Sequence, residues 1–196
     1  GVSADKVDKE MRRRAKIINF GILYGMGVNA LREALGSGVA RDEAAAFLSQ
    51  YFKNFSGLAK YLENQKAIAT RLGYTETLFG RRRYFAGIKS LLPHIKAQAE
   101  RMAINAPVQG TAADIIKLAM IEVERVRGEK KWGGDAHLLL QVHDELVYEL
   151  KEDGAEDIAR EIRNCMENVV PKSGLSGVPL VVDVAFGKTW GTMKSI

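Results

Sequence analysis

Apolar residues recur three to four positions apart through most of the first half of the chain. Residues 8–26 contain no proline, and their only glycine before position 25 is Gly21. This stretch predicts a helix that Gly25-Met26-Gly27 stops. A second helix is predicted over 41–53, with Ala44, Phe47, Leu48, Tyr51 and Phe52 on one face. A third covers 57–72 with Leu58, Tyr61, Leu62, Ala69 and Leu72, and Gly73 ends it. The period then shortens to two over 74–85, as in a small hairpin around Gly80. Pro93 opens another helix, and Pro107 is expected to close it, because the residue before a proline is pushed out of α geometry. Thr111 with Asp114 resembles a capping box and starts a long helix to about Arg127. After the Gly133-Gly134 turn the pattern predicts strands at 137–142 and 146–150, a helix at 154–168, a Pro/Gly/Ser-rich loop at 171–179 and a strand at 180–185. The expected fold is α+β, with a helical part over 1–90 and a small antiparallel sheet packed on helices over 91–196.

Composition narrows the function classes. A hydrophobic fraction of 46% over 196 residues, with 27% charged, excludes disorder as the main state. No apolar run approaches the roughly 18–20 residues of a membrane span, and the polar start Gly1-Val2-Ser3-Ala4-Asp5-Lys6 does not read as a signal peptide. The single cysteine, Cys165, argues for a reducing compartment, and a cytoplasmic location is expected. Lys and Arg exceed Asp and Glu by 29 to 24, giving a net charge of +5. That balance suits an acidic partner such as nucleic acid. The cations cluster at Arg12-Arg13-Arg14 with Lys16 and at Arg81-Arg82-Arg83. With three histidines, His94, His137 and His143, and no G-x-S-x-G or P-loop, a serine or cysteine nucleophile finds no support.

Four constellations carry candidate chemistry. Arg12, Lys16, Phe20 and Tyr24 step by four, so a helix lines them along one face, cationic at one end and aromatic at the other. A nucleoside triphosphate has the same layout, since Arg and Lys suit phosphates and a ring suits a base. The alternative is an ordinary amphipathic helix with both rings in the core. Second, two apolar strands meet at His143-Asp144-Glu145, which lacks the glycine a tight turn favours. Adjacent carboxylates between apolar flanks invite a cation, and Mg²⁺ shared with substrate phosphates is one candidate; a solvated turn is the other reading. Third, Arg101, Asn105 and Gln109 step by four across Pro107, donors for a groove edge or a phosphate backbone, or else buried caps. Fourth, the Gly80-Arg81-Arg82-Arg83-Tyr84 run is either a loop that tracks a nucleic-acid backbone or a solvated charge run.

Taken together, these segments resemble family A DNA polymerases. Arg12 through Gly25 is similar to the family's R-x3-K-x3-F-x3-Y-G motif on the fingers helix, and Asn105-Ala106-Pro107-Val108-Gln109-Gly110-Thr111-Ala112-Ala113-Asp114 to the segment leading into a long palm helix. Gln141-Val142-His143-Asp144-Glu145 resembles the metal-binding hairpin of the palm, and Val182-Asp183-Val184 through Gly187 and Trp190 the C-terminal strand and tail. The resemblance implies fingers over 1–90 and the C-terminal part of the palm over 91–196. It implies that Arg12 and Lys16 hold the triphosphate of a dNTP, Lys16 acting in catalysis, while Phe20 packs on sugar and base and Tyr24 stacks near the template. It also implies that Asp144 and Glu145 bind catalytic Mg²⁺, that His143 approaches the primer end, and that Arg81, Arg82, Arg101, Asn105 and Gln109 touch primer–template DNA. Two departures stand out: Leu91-Leu92-Pro93-His94-Ile95-Lys96 replaces a stretch usually richer in Asn and Arg, and no D-Y-S-x-I-E-x-R segment occurs. The second departure implies half a metal site, so synthesis is expected only with a missing upstream segment, in cis or as a separate chain. It also implies an open sheet edge able to form a dimer. The opposing expectation is a non-catalytic fragment that binds nucleotide or DNA.

Overall fold

Asp8 starts the first helix: its carboxylate accepts the Met11 amide at 2.7 Å, and α1 runs Lys9–Leu23. The computed structural model describes residues 2–36 and 38–195. Gly25, at φ +80°, turns the chain into α2, Val28–Leu35, a helix the sequence pattern did not predict. It is the shortest α-helix among the described residues, and Leu31 is its single buried anchor. α3, Arg41–Asn54, and α4, Ser56–Leu72, lie where expected, and Gly73 ends α4 in the left-handed conformation at φ +82°. The predicted hairpin forms as β1, Tyr74–Glu76, paired antiparallel with β2, Arg82–Tyr84.

Pro107 does not close a helix. α5 runs unbroken from Pro93 to Glu129. The proline removes one amide donor from the helix interior, and the surrounding packing holds the turn. Ala103, Ile104 and Ala106 are buried around it, and the Tyr61 hydroxyl of α4 donates to the Ile104 carbonyl at 3.2 Å. Thr111 and Asp114 consequently lie inside α5 and mark no helix start.

The chain divides within α5 into two compact units, Gly1–Gly110 and Thr111–Ile196, later than the boundary expected near 90. The reason is the core of the first unit, in which Ala99, Ala103 and Ala106 of α5 join Ala69, Phe85 and Ile88. In the second unit β3, Ala136–Val142, pairs with β4, Glu145–Leu150, and α6 spans Ala155–Asn168. Its core joins Val123 and Val126 of α5, Ala136 of β3 and Ile158, Ile162 and Cys165 of α6. The strand expected at 180–185 does not form. The Val182 amide donates instead to the Glu167 carboxylate at 3.0 Å, and among the described residues of this stretch Ala185 alone is in a strand, β5, Ala185–Phe186, paired with β6, Lys194–Ser195. No helix among the described residues is long and apolar enough to cross a membrane.

Burial pushes the Cys165 thiol above its ordinary value, so little thiolate is present at neutral pH. The expected outcome is slow modification by a thiol reagent at pH 7–8 that becomes fast once denaturant unfolds the second unit. Rapid labelling of the native chain would contradict this packing.

Candidate nucleotide and nucleic-acid interface

The four-step series on α1 does not bury its rings. Phe20 is 54% exposed and Tyr24, at the C-cap, 42% exposed, which excludes the core reading of both. Their rings stack with centroids 6.3 Å apart and planes 18° from parallel. The basic cluster before them splits by partner. Glu10 accepts from Arg13 at 2.7 and 2.8 Å and from Arg14 at 3.1 Å, and these guanidinium bonds hold its carboxyl well below the usual range, at about 2. Arg12 and Lys16 have no ion-pair partner among the described residues and stand exposed on the helix that carries the two rings. The available charge is therefore the pair that the four-step spacing singles out.

Tyr24 also belongs to a groove of about 420 Å³ within the first unit, lined with Arg83, Gln98, Arg101, Met102, Asn105 and Gln109. Gln98, Arg101, Met102 and Asn105 share one face of α5, and continuity of the helix through Pro107 adds Gln109 to that face. The end of α1 reaches that face through Gly25. A Cβ there would sit 2.9 Å from Cγ of Arg101, so the glycine provides both the positive φ and the clearance. Two separate sequence motifs thus meet in one place.

The basic hairpin divides its three arginines. Arg81 donates to the Gly110 carbonyl at 3.0 Å. Arg82 donates to Glu76 at 2.8 Å and lies over the Tyr74 ring at 4.6 Å. Arg83 faces the groove, with its guanidinium 3.8 Å from the Met102 sulfur. Sequence reasoning named the Arg81-Arg82-Arg83 run as a DNA contact without separating its members, and missed Gln98 and Met102 as wall residues. The alternation of the strand held the signal for Arg83, and its distance of two from Arg81 puts both on one face.

In the second unit His143-Asp144-Glu145 lies at the turn between β3 and β4. The turn is tight, contrary to the expectation from its lack of glycine. His143 supplies the left-handed φ of +52°, and the Gln141 amide donates to the His143 carbonyl. A bulge between Leu138 and Leu140 shifts the register so that Val142 pairs with Glu145, which leaves His143 and Asp144 as the two-residue loop. Left-handed φ at a non-glycine residue costs about 1 kcal/mol or more and gathers at functional sites. All three side chains are exposed.

The description "DNA polymerase family A" matches residues 1–192. The chain belongs to this family. It is 44% identical over 194 residues to the thermostable DNA polymerase I of Thermus aquaticus, covering 99% of this chain and 22% of that protein. It is 44% identical over 190 residues to DNA polymerase I of Pseudomonas aeruginosa, covering 97% of this chain and 20% of the relative. The POL domain of Pol1 from M. smegmatis, solved in complex with DNA primer-template and dNTP, superposes with a TM-score of 0.82 at 38% identity, over 91% of this chain and 30% of that one. The chain thus spans about a fifth of the length of these curated relatives.

Family A polymerases use divalent metal ions. Among the described residues no three His, Cys, Asp or Glu side chains converge as a metal site. Asp144 and Glu145 fit one side of such a site, since Mg²⁺ takes one or two carboxylates and completes its octahedron with water and substrate phosphates.

Proposed function

We propose that this chain handles the incoming nucleotide and the template in bacterial DNA synthesis for replication and repair, as part of a polymerase that transfers a nucleotide from dNTP to a primer 3′-hydroxyl. The observation that carries this reading is the groove in which Tyr24 meets Arg83, Arg101, Asn105 and Gln109, in a chain that belongs to the family. Arg12 and Lys16 bind triphosphate oxygens, and Phe20 packs on sugar and base beside Tyr24. Arg101, Asn105 and Gln109 contact DNA near the new base pair, joined by Arg83, the member of the Arg81-Arg82-Arg83 run that lines the groove. His143 lies against the primer end, and Asp144 with Glu145 holds Mg²⁺ from one side. When bound, the metal supplies a polarised 3′-hydroxyl and charge neutralisation at the phosphates. The helical first unit corresponds to the fingers and the second to part of the palm, and a DNA substrate places the protein in the nucleoid.

Two-metal transfer takes carboxylates from both sides of ions about 3.5–4 Å apart, and Asp144 and Glu145 supply one side. The isolated chain therefore binds without catalysing, and the upstream segment that supplies the other carboxylate is its partner. β3 and β4 form a two-stranded sheet with no third strand paired to it among the described residues, and Leu138, Leu139 and Leu140 lie exposed on it. An open edge of this kind accepts a strand from that segment or from a second copy.

Salt dependence tests the reading. Binding to primer–template DNA is expected to be sequence-independent and to weaken linearly on a log–log plot against salt, each phosphate contact contributing about 0.9 to the slope on duplex. Arg83→Ala is expected to lower that slope by about one and Arg82→Ala to leave it unchanged. A salt-independent affinity would refute the electrostatic account.

A further inference from the structure

The groove depends on a contact that lies outside it. Gly110 sits in the interior of α5, where a glycine costs about 1 kcal/mol against alanine, so a reason for it must lie in its surroundings. A Cβ built at Gly110 would stand 2.5 Å from Cγ2 of Thr77 and 3.2 Å from Nη2 of Arg81. Thr77 is nearly buried, and it cannot turn aside. Its Oγ1 accepts the Phe79 amide at 3.3 Å and the Arg81 amide at 3.1 Å, and its own amide donates to the Arg81 carbonyl at 2.9 Å. A β-branched side chain bound in this way has one rotamer. Arg81 then closes the contact from the other side, donating to the Gly110 carbonyl at 3.0 Å. The hairpin turn is thus seated on the α5 backbone with no room for a methyl group. Two residues further along the chain, Arg83 reaches the groove and touches Met102, two turns earlier on α5.

We propose that Gly110, Thr77 and Arg81 form a seat that fixes the β1–β2 hairpin on α5 and so aims Arg83 into the groove beside Arg101, Asn105 and Gln109. The three are positioning residues, acting through Arg83 and not on the ligand. This inference rests on the reading of the groove as a DNA site. It assigns a use to the first arginine of the run, which a simple basic loop would leave in solvent, and to a helical glycine that no turn or positive φ explains.

The test compares Gly110→Ala, Thr77→Ser, the double variant Gly110→Ala/Thr77→Ser and Arg83→Ala in the full chain. The readouts are the affinity for a primer–template duplex across a salt series and the melting temperature. Gly110→Ala is expected to weaken binding about 3- to 10-fold and to lower the salt slope by about one, as Arg83→Ala does. Thr77→Ser keeps the hydroxyl and removes the methyl group that would collide. Alone it is expected to behave as the parent, and in the double variant it is expected to bring affinity and slope back to within about 2-fold of the parent. A merely structural glycine would lower the melting temperature and leave the slope alone. A Gly110→Ala variant with raised melting temperature and unchanged slope, as helix propensity alone dictates, would overturn the proposal. So would a double variant that folds without recovering the slope. If Gly110→Ala does not fold, the double variant carries the test, and its failure to fold overturns the seat. An unchanged slope in Arg83→Ala would remove the DNA reading of the groove and the inference with it, whereas a normal Arg83→Ala effect beside an inert Gly110→Ala would remove the inference alone.

Discussion

Asp144→Ala, placed in a polypeptide that also carries the upstream segment, is expected to reduce primer extension by about three orders of magnitude or more while DNA affinity stays within a few-fold. The first part follows from charge. A metal that activates the 3′-hydroxyl and neutralises the phosphates contributes several kcal/mol in the transition state, and each 1.36 kcal/mol is a factor of ten in rate. The second part follows from position, because Asp144 is an exposed loop residue of a two-residue turn and carries no packing. Its removal leaves the β3–β4 register, set by the bulge at Leu138–Leu140, as it was. Glu145→Gln is expected to be milder, since Glu145 is held in strand β4 opposite Val142 while Asp144 stands in the turn, and the amide keeps an oxygen able to ligate. Single-turnover extension with saturating DNA separates the two effects. A variant that keeps near-parental rates would show that the turn does not hold the catalytic ion.

Lys16→Ala in the same polypeptide is expected to raise KM for the incoming nucleotide by an amount equal to about 2–4 kcal/mol, the usual cost of truncating one side of a desolvated charge-assisted contact. The expectation is specific to Lys16 among its neighbours. Arg13 and Arg14 already share Glu10, so Arg14→Ala is expected to change KM little. Steady-state titration of dNTP against the two variants and the parent decides the matter, and equal effects at Lys16 and Arg14 would reduce the helix face to a general positive field.

Much of this was legible in the chain, for physical reasons. The four-step spacing of Arg12, Lys16, Phe20 and Tyr24 has one geometric meaning on a helix, and α1 realises it up to the C-cap. Gly73 and Gly80 both took positive φ at the places where the pattern changed period. What failed was local reasoning at positions governed by tertiary contacts. Pro107 was expected to end a helix, yet burial of Ala103, Ile104 and Ala106 and the Tyr61 hydrogen bond carry α5 through it. The capping reading of Thr111 and Asp114 fell with that boundary. The stretch 180–185 had the composition of a strand, but among the described residues no strand pairs with 180–184, and the Val182 amide bonds to a carboxylate. The arginine run shows the same limit. Sequence gives three like charges, and only the packing against Gly110, Glu76 and Met102 separates a seat, a hairpin ion pair and a groove wall. Arg12 and Lys16 show the opposite case, where Glu10 lies four positions before Arg14 and the pairing could be counted along the helix.

Primer extension by the purified 196-residue chain, alone and then mixed with the upstream segment as a separate polypeptide, tests the central claim most directly. The chain alone is expected to bind primer–template and dNTP and to extend nothing, with synthesis appearing on addition of the segment and vanishing when Asp144→Ala replaces the parent. Extension by the chain alone that disappears in Asp144→Ala would contradict the account, because a carboxylate within these residues would then complete the metal site.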